Sequence, residues 1–256
     1  MKILAIGDIV GVSTIQYLRE TLWKKRSELG IDLVVANGEN ASDIHGLTAK
    51  NAREIFDCGV DVITLGNHTY SKRDIYPFLD SEPHIIRPAN YPPSCPGSGY
   101  TTVNVCGWKI LCINVMGNVG LDSLASPFTT VASVLERESG NYDFSLLDLH
   151  AEATSEKIAL ARYFDGRINI IFGTHTHVQT ADEQTLPNGT AYITDLGMSG
   201  PVNGVIGASY DSVIKTFIDH MPSHFSVADG DIRICGAVFT IDTSNSGRTS
   251  VSRITF

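Results

Sequence analysis

Apolar residues fall along the chain in short runs, at 3–6, 33–36, 62–65, 110–115, 144–149, 168–172 and 191–193. Runs this short, without alternation, predict strands buried on both faces. Between them, 14–29, 48–58 and 155–164 carry apolar residues at a spacing near 3.6, which predicts helices. Thr48 and Ser155 stand where N-caps belong, and Gly30, Gly59 and Gly166 where helices end. Strand and helix alternating in this way predict an α/β fold. Two regions break the alternation. Residues 100–115 predict a hairpin turning at Cys106-Gly107, and 225–256 predict strands separated by the turns Asp229-Gly230-Asp231 and Ser244-Asn245-Ser246-Gly247. A second, partly antiparallel sheet is therefore expected. The stretch 87–93, with Pro88, Pro92 and Pro93, predicts a loop.

The chain has 256 residues, which suits a single domain, 1–256, with one large core. Hydrophobic content of 43% and charged content of 18% are those of a globular protein. Asp8 interrupts the first apolar run, so MKILAIGDIVG does not form a signal-peptide core. No apolar run approaches the roughly 20 residues of a membrane span, and a cytoplasmic protein without a membrane partner is expected. Five cysteines, without C-x-x-C spacing, predict reduced thiols rather than a disulfide or thiolate-zinc framework, although Cys106 and Cys112 flank one turn and are candidate neighbours. A net charge of −9 argues against tight nucleic-acid binding and leaves room for a small anionic substrate at a local site. Self-association into a homo-oligomer is neither required nor excluded.

Chemistry concentrates where the predicted strands end. The first run leads into Gly7-Asp8, the second into Gly38-Glu39-Asn40, the third into Gly66-Asn67-His68, that at 144–149 into His150, and that at 168–172 into Gly173-Thr174-His175-Thr176-His177. Open α/β sheets bind ligands at the carboxyl ends of their strands, so these termini can meet in space. Extended backbone would send His175 and His177 to one side. Gly7, Gly38, Gly66 and Gly173 would let the chain turn sharply and leave room for an ion or phosphate. Taken singly, each residue has a plainer reading: Asp8 as a helix cap, Asn67 as a turn residue, the histidine pair as solvated loop. Together, two carboxylates, two amide oxygens and three imidazoles exceed the three protein ligands of a typical catalytic zinc. Oxygen and imidazole donors without thiolate suit iron or manganese, with zinc a further candidate. Two ions about 3.5–4 Å apart, bridged by Glu39 or Asp8, can share a hydroxide and clamp an in-line displacement at phosphorus.

These motifs, with GLT, RPANYP, DLHAEATSEK, DGR, GTHTHVQTAD and YITDLGMSGP, resemble the YmdB family of bacterial calcineurin-like metallophosphoesterases over nearly the whole chain. The resemblance implies an α/β sandwich of two mixed β-sheets flanked by helices. It implies two metal ions, iron foremost, on Asp8, Glu39, Asn40, Asn67, His150, His175 and His177. His68 would be the catalytic proton donor to the leaving oxygen. The implied reaction opens 2′,3′-cyclic nucleotides to 3′-nucleotides, with 3′,5′-cyclic nucleotides a second candidate substrate, by attack of a metal-bridging hydroxide. The wider superfamily places a histidine where this chain has Val10 and an acidic residue where it has Thr69; Asn40 stands in for the histidine, and the departure bears on metal identity. Alternatives are a phosphomonoesterase or nuclease on the same site, or a metal-dependent nucleotide sensor in RNA turnover.

Lesser candidates are Arg87 as a phosphate clamp and Asp195 and Gln179 as supports for the ligand histidines. Glu152 and Lys157 are expected to start and stabilise a helix, and His45, His84, His220 and His224 to lie in loops or on the surface. No G-x-G-x-x-G, P-loop or G-x-S-x-G elbow occurs, which sets aside dinucleotide-binding, P-loop and serine-hydrolase chemistry. An amidohydrolase barrel would carry its H-x-H on an early strand, not in the last third.

Overall fold

The computed structural model describes residues 1–244 and 248–256. In chain order the first half comprises β1 (Lys2–Ile6), β2 (Asp8–Ile9), α1 (Val12–Leu29), β3 (Leu33–Asn37), α2 (Ala49–Asp57), β4 (Val62–Thr64), α3 (Tyr76–Ser81), β5 (Ile85–Ile86), β6 (Tyr100–Val105) and β7 (Trp108–Met116). There follow α4 (Pro127–Arg137), β8 (Phe144–His150), α5 (Thr154–Tyr163), β9 (Ile170–Thr174), β10 (Gln184–Thr185), β11 (Ala191–Ile193), β12 (Met198–Pro201), α6 (Tyr210–Asp219), β13 (Ile232–Arg233), β14 (Cys235–Ile241) and β15 (Thr249–Thr255).

Two six-stranded sheets result, ordered β15-β14-β1-β3-β4-β5 and β10-β11-β9-β8-β7-β6. Within each, the apolar runs form parallel strands: β1-β3-β4 in one, continued by the two-residue β5 at its edge, and β7-β8-β9-β11 in the other. Antiparallel strands β14 and β15 finish one side of the first sheet, and antiparallel β6 and β10 form both edges of the second. The period of two then sorts the side chains. In β1, Ile3 and Ala5 enter the core between the sheets with Val35, Phe172 and Phe239. Leu4 and Ile6 face the opposite way, onto Leu18 and Leu22 of α1 and Ile55 of α2. On the second sheet, Leu146 points inward, while Leu147 and Leu149 meet Val131 of α4 and Leu160 of α5. The layers are thus helix, sheet, sheet, helix, as expected from the sequence.

Several details differ from expectation. A third sheet, β13-β12-β2, pairs Met198 with Asp8, and strands of two to four residues carry no periodic signal. Helix α1 begins at Val12 with Gly11 at its cap, so Asp8 does not cap it. Thr48 does cap α2, accepting from Asn51 N, but Ser155 lies inside the first turn of α5, where Ala153 occupies the cap. The hairpin turns as expected, with Cys106 at φ 51° and Gly107 at φ 88°, the geometry of a type I′ turn. That places Cys106 exposed beside Asp32 and Cys112 in the core, and all five cysteines are free thiols. Of the expected turn at 244–247, residues 245–247 lie outside the described residues. No helix among the described residues is long and apolar enough to cross a membrane.

Candidate metal centre

The carboxyl ends of the two sheets meet, and every residue singled out for metal binding arrives at that meeting. Asp8 opens β2, Glu39 and Asn40 follow β3, and Asn67 and His68 follow β4. His150 ends β8, and His175 and His177 follow β9. Glu39, Asn40 and Asn67 therefore come from the first sheet, the imidazoles of His150, His175 and His177 from the second, and Asp8 from the short third sheet. His150 Nε2 lies 3.1 Å from Glu39 Oε1, 2.9 Å from Asn67 Oδ1 and 3.0 Å from His175 Nδ1. Ligand atoms of Glu39, His150 and His175 all fall within 4.8 Å of one another. A second group adjoins the first: His177 Nε2 is 3.9 Å from Asp8 Oδ1 and 3.3 Å from Asn40 Nδ2, and Asn40 Nδ2 is 3.4 Å from Glu39 Oε1. Glu39 touches both groups.

Each imidazole is anchored by the nitrogen turned away from this centre. His150 Nδ1 is 2.9 Å from Thr174 Oγ1, whose single proton goes to Asp148 Oδ1 at 2.7 Å. Thr174 therefore accepts from His150, and Nε2 faces the site. His177 Nδ1 donates to Ile206 O at 2.9 Å, which also frees Nε2. His175 is reversed: Nε2 meets Glu152 Oε2 at 3.1 Å, leaving Nδ1 inward.

The charges explain why a cation fits. Burial alone would raise the Glu39 carboxyl, but the charge and hydrogen bond of His150, helped by His68, hold it at about 2. Burial would lower His150, yet Glu39 and Asp8 pull it up to about 9. Burial and then the charge of His150 push His175 down to about 3. Burial raises Asp8. A fully buried pair of acids thus draws positive charge into the pocket. Among the described residues, Asp8 Oδ1 and Asn40 Oδ1 are buried acceptors without a hydrogen-bond partner, which a cation would satisfy. Gly66 leaves the space, because a Cβ there would come within 2.2 Å of His150 Nε2 and 2.5 Å of Glu39 Oε2.

Gly7 and Gly173 serve a different end from the sharp turn expected of them. Neither has a left-handed φ; a Cβ at Gly7 would lie 1.8 Å from Gly197 O, and at Gly173 1.9 Å from Thr194 O. The unusual backbone sits instead at the histidines, with φ 99° at His175 and 63° at His177. Strand β9 has ended by then, so these rings converge through a strained loop and not through strand pleating, at a cost of order 1–3 kcal/mol per residue. Asp195 holds that loop: its Oδ2 accepts from Thr176 N at 3.2 Å and Thr176 Oγ1 at 2.8 Å. Asp195 thus supports the histidines through Thr176, whereas Gln179 bonds only Leu196 O and Gly236 O.

Other expectations are corrected. Lys157 is fully buried and pairs with Asp195 Oδ2 at 2.6 Å while donating to Thr174 O at 2.8 Å. Its place on the apolar face of α5 with Leu160 and Ala161 was the available signal. Glu152 precedes α5 and contacts His175 instead of starting the helix. His45 is not a bystander: its ring stacks on His68, centroids 3.9 Å apart. Arg87 is buried and donates to Pro88 O and Pro96 O, away from the centre. Asp148 and Thr174 escaped notice, although an aspartate inside an apolar strand is visible in FSLLDLH; burial pushes that carboxyl to about 6 against the hydroxyls of Thr64 and Thr174.

The chain as a whole has close counterparts among known proteins. The model of the YmdB-like protein family matches residues 4–254. The chain belongs to the YmdB-like family. It is 41% identical to a Bacillus subtilis (strain 168) protein named 2′,3′-cyclic-nucleotide 2′-phosphodiesterase, over 99% of this chain and 96% of that one. A hypothetical protein from Thermus thermophilus superposes with a TM-score of 0.94 at 38% identity, covering 100% of this chain and 99% of the other. A structure described as a novel phosphatase from Mycoplasma pneumoniae gives 0.92 at 32% identity, over 100% and 93%. The fold is that of the calcineurin-like metallophosphoesterases, and it implies divalent metal ions.

Proposed function

We propose that this YmdB-like chain hydrolyses 2′,3′-cyclic nucleotides to 3′-nucleotides. Two divalent ions, iron or manganese, would be held by Asp8, Glu39, Asn40, Asn67, His150, His175 and His177. The observation that carries the reading is the buried trio Asp8, Glu39 and Asn40, two of whose acceptor atoms are unpartnered, beside His68. Bound there, the ions would supply charge to the phosphoryl oxygens and acidify the attacking water. The protein's own part is positional. Glu39 bridges the two ligand groups, and its Oε2 accepts from His68 N at 2.8 Å, which sets the histidine at the rim. As water adds to phosphorus, the bond to the ribose 2′ oxygen breaks, and His68 gives that oxygen its proton and regains one from solvent. The enzyme is a hydrolase of phosphate esters, in keeping with its 41% identical relative.

The relative from Mycoplasma pneumoniae described as a phosphatase favours a second reading, a monoesterase on the same residues. Turnover of 2′,3′-cyclic AMP, 3′,5′-cyclic AMP, a generic diester and a monoester, each with Mn²⁺ or Fe²⁺, separates the two. The expected order places 2′,3′-cyclic AMP first. A monoester preference would reassign the reaction, and tight binding without turnover of any substrate would make the protein a sensor.

A further inference from the structure

The metal centre occupies only one side of its cleft. The cavity, of about 450 Å³, continues past His68 and His177 to a wall formed by Ile44, Ile206, Val213, Phe217 and Phe225, with His45 on the lip. Among the described lining residues beyond the metal centre and its supports, His45 alone has a polar side chain. Val213 and Phe217 stand four apart on α6 and so share a face. Val213 is buried, but Phe217 is 72% exposed, an unusual placement for an aromatic residue at the mouth of a catalytic cleft.

We propose that this wall seats the nucleobase of the substrate, with Phe217 and Phe225 as its stacking surface. The inference rests on the cyclic-nucleotide reading above. A cyclic nucleotide has two chemically distinct ends, an anionic diester and a flat base with aromatic faces, and the cleft has the same division. Stacking on an aromatic ring is tolerant of base identity because every base presents a π-face. The apolar side chains of Ile44, Ile206, Val213, Phe217 and Phe225 offer no side-chain donor or acceptor with which to read base edges. All four 2′,3′-cyclic nucleotides should therefore be turned over with kcat/KM values within about tenfold, purines highest because they cover more ring.

The test compares the metal-loaded wild type with Phe217→Ala on 2′,3′-cyclic AMP and on glycerol 1,2-cyclic phosphate, which has the five-membered diester but no base. The exposure of Phe217 makes a folding defect an unsuitable explanation, and Phe225→Ala serves as the second variant. Loss of roughly tenfold in kcat/KM on the nucleotide, through KM, with glycerol cyclic phosphate unaffected, supports the proposal. Equal loss on both substrates, or no loss on either, overturns it. So does a change confined to the oligomeric state on sedimentation, which would assign Phe217 to contact between chains. A wild type inactive on both diesters refutes the proposed reaction instead. Calorimetric binding of adenosine 3′-monophosphate, a readout without turnover, then decides this inference: a tenfold weaker Kd in Phe217→Ala supports it and an unchanged Kd sinks it.

Discussion

His68 is fixed from three directions. Its N–H donates to Glu39 Oε2 at 2.8 Å, its Nε2 lies 3.2 Å from Asn67 Nδ2, and its ring stacks on His45. None of these contacts makes the ring one of the three imidazoles anchored at the centre. Substituting His68→Ala should therefore leave metal content at the wild-type level while lowering kcat by about 10²–10⁴-fold, the usual contribution of a positioned acid. Metal analysis beside steady-state kinetics checks both halves, and loss of the metal would recast His68 as a ligand. The meeting of these strand-end side chains was legible in the sequence because each follows an apolar run. His45 and Glu152 were not, since neither ends a strand; loop geometry alone brings His45 onto His68 and Glu152 onto His175.

At the level of elements, the H-x-H loop depends on what lies beneath it. Asp195 accepts from Thr176 and Gly197, and its charge is balanced by Lys157, with both side chains fully buried. Removing one partner of a buried pair leaves the other charge uncompensated, at a cost of about 3–5 kcal/mol. Lys157→Met should lower unfolding stability by that amount in urea titration, and Lys157→Met with Asp195→Asn should recover part of it. A single variant as stable as the wild type would show that the pair does not hold the loop. The positive φ at His175 and His177 makes this support necessary, because the conformation is unfavourable on its own. Nothing in GTHTHVQT distinguishes that loop from an extended segment; both keep the two rings together, and only the backbone angles separate them. The central strands were legible because burial on both faces leaves mostly apolar runs. Strand β2, of two residues, was not, although it is what aims Asp8 at the site.

Across the whole molecule, the centre joins the two sheets. Glu39, Asn40 and Asn67 approach from the sheet built on β1, β3 and β4, His150, His175 and His177 from the one built on β8 and β9, and Asp8 from the short strand β2 that follows β1. The inner core below them is apolar, with Phe172 packed against Phe239 at 5.9 Å between ring centroids, so the sheets are held together by burial at one depth and by polar groups at their carboxyl ends. A cation bound by both sets of donors would act as a clasp between layers. Binding confined to the folded state stabilises it by about 4 kcal/mol when the free metal exceeds Kd a thousandfold. For a chain of this size that corresponds to a fall in Tm of roughly 10 °C on chelation. Calorimetric scans with Mn²⁺ and with chelator should show that difference and its reversal on adding metal back. An unchanged Tm in a protein shown to lose its metal would mean that the sheets are held by their apolar faces alone, and that the convergence of seven donors serves chemistry without contributing to the fold.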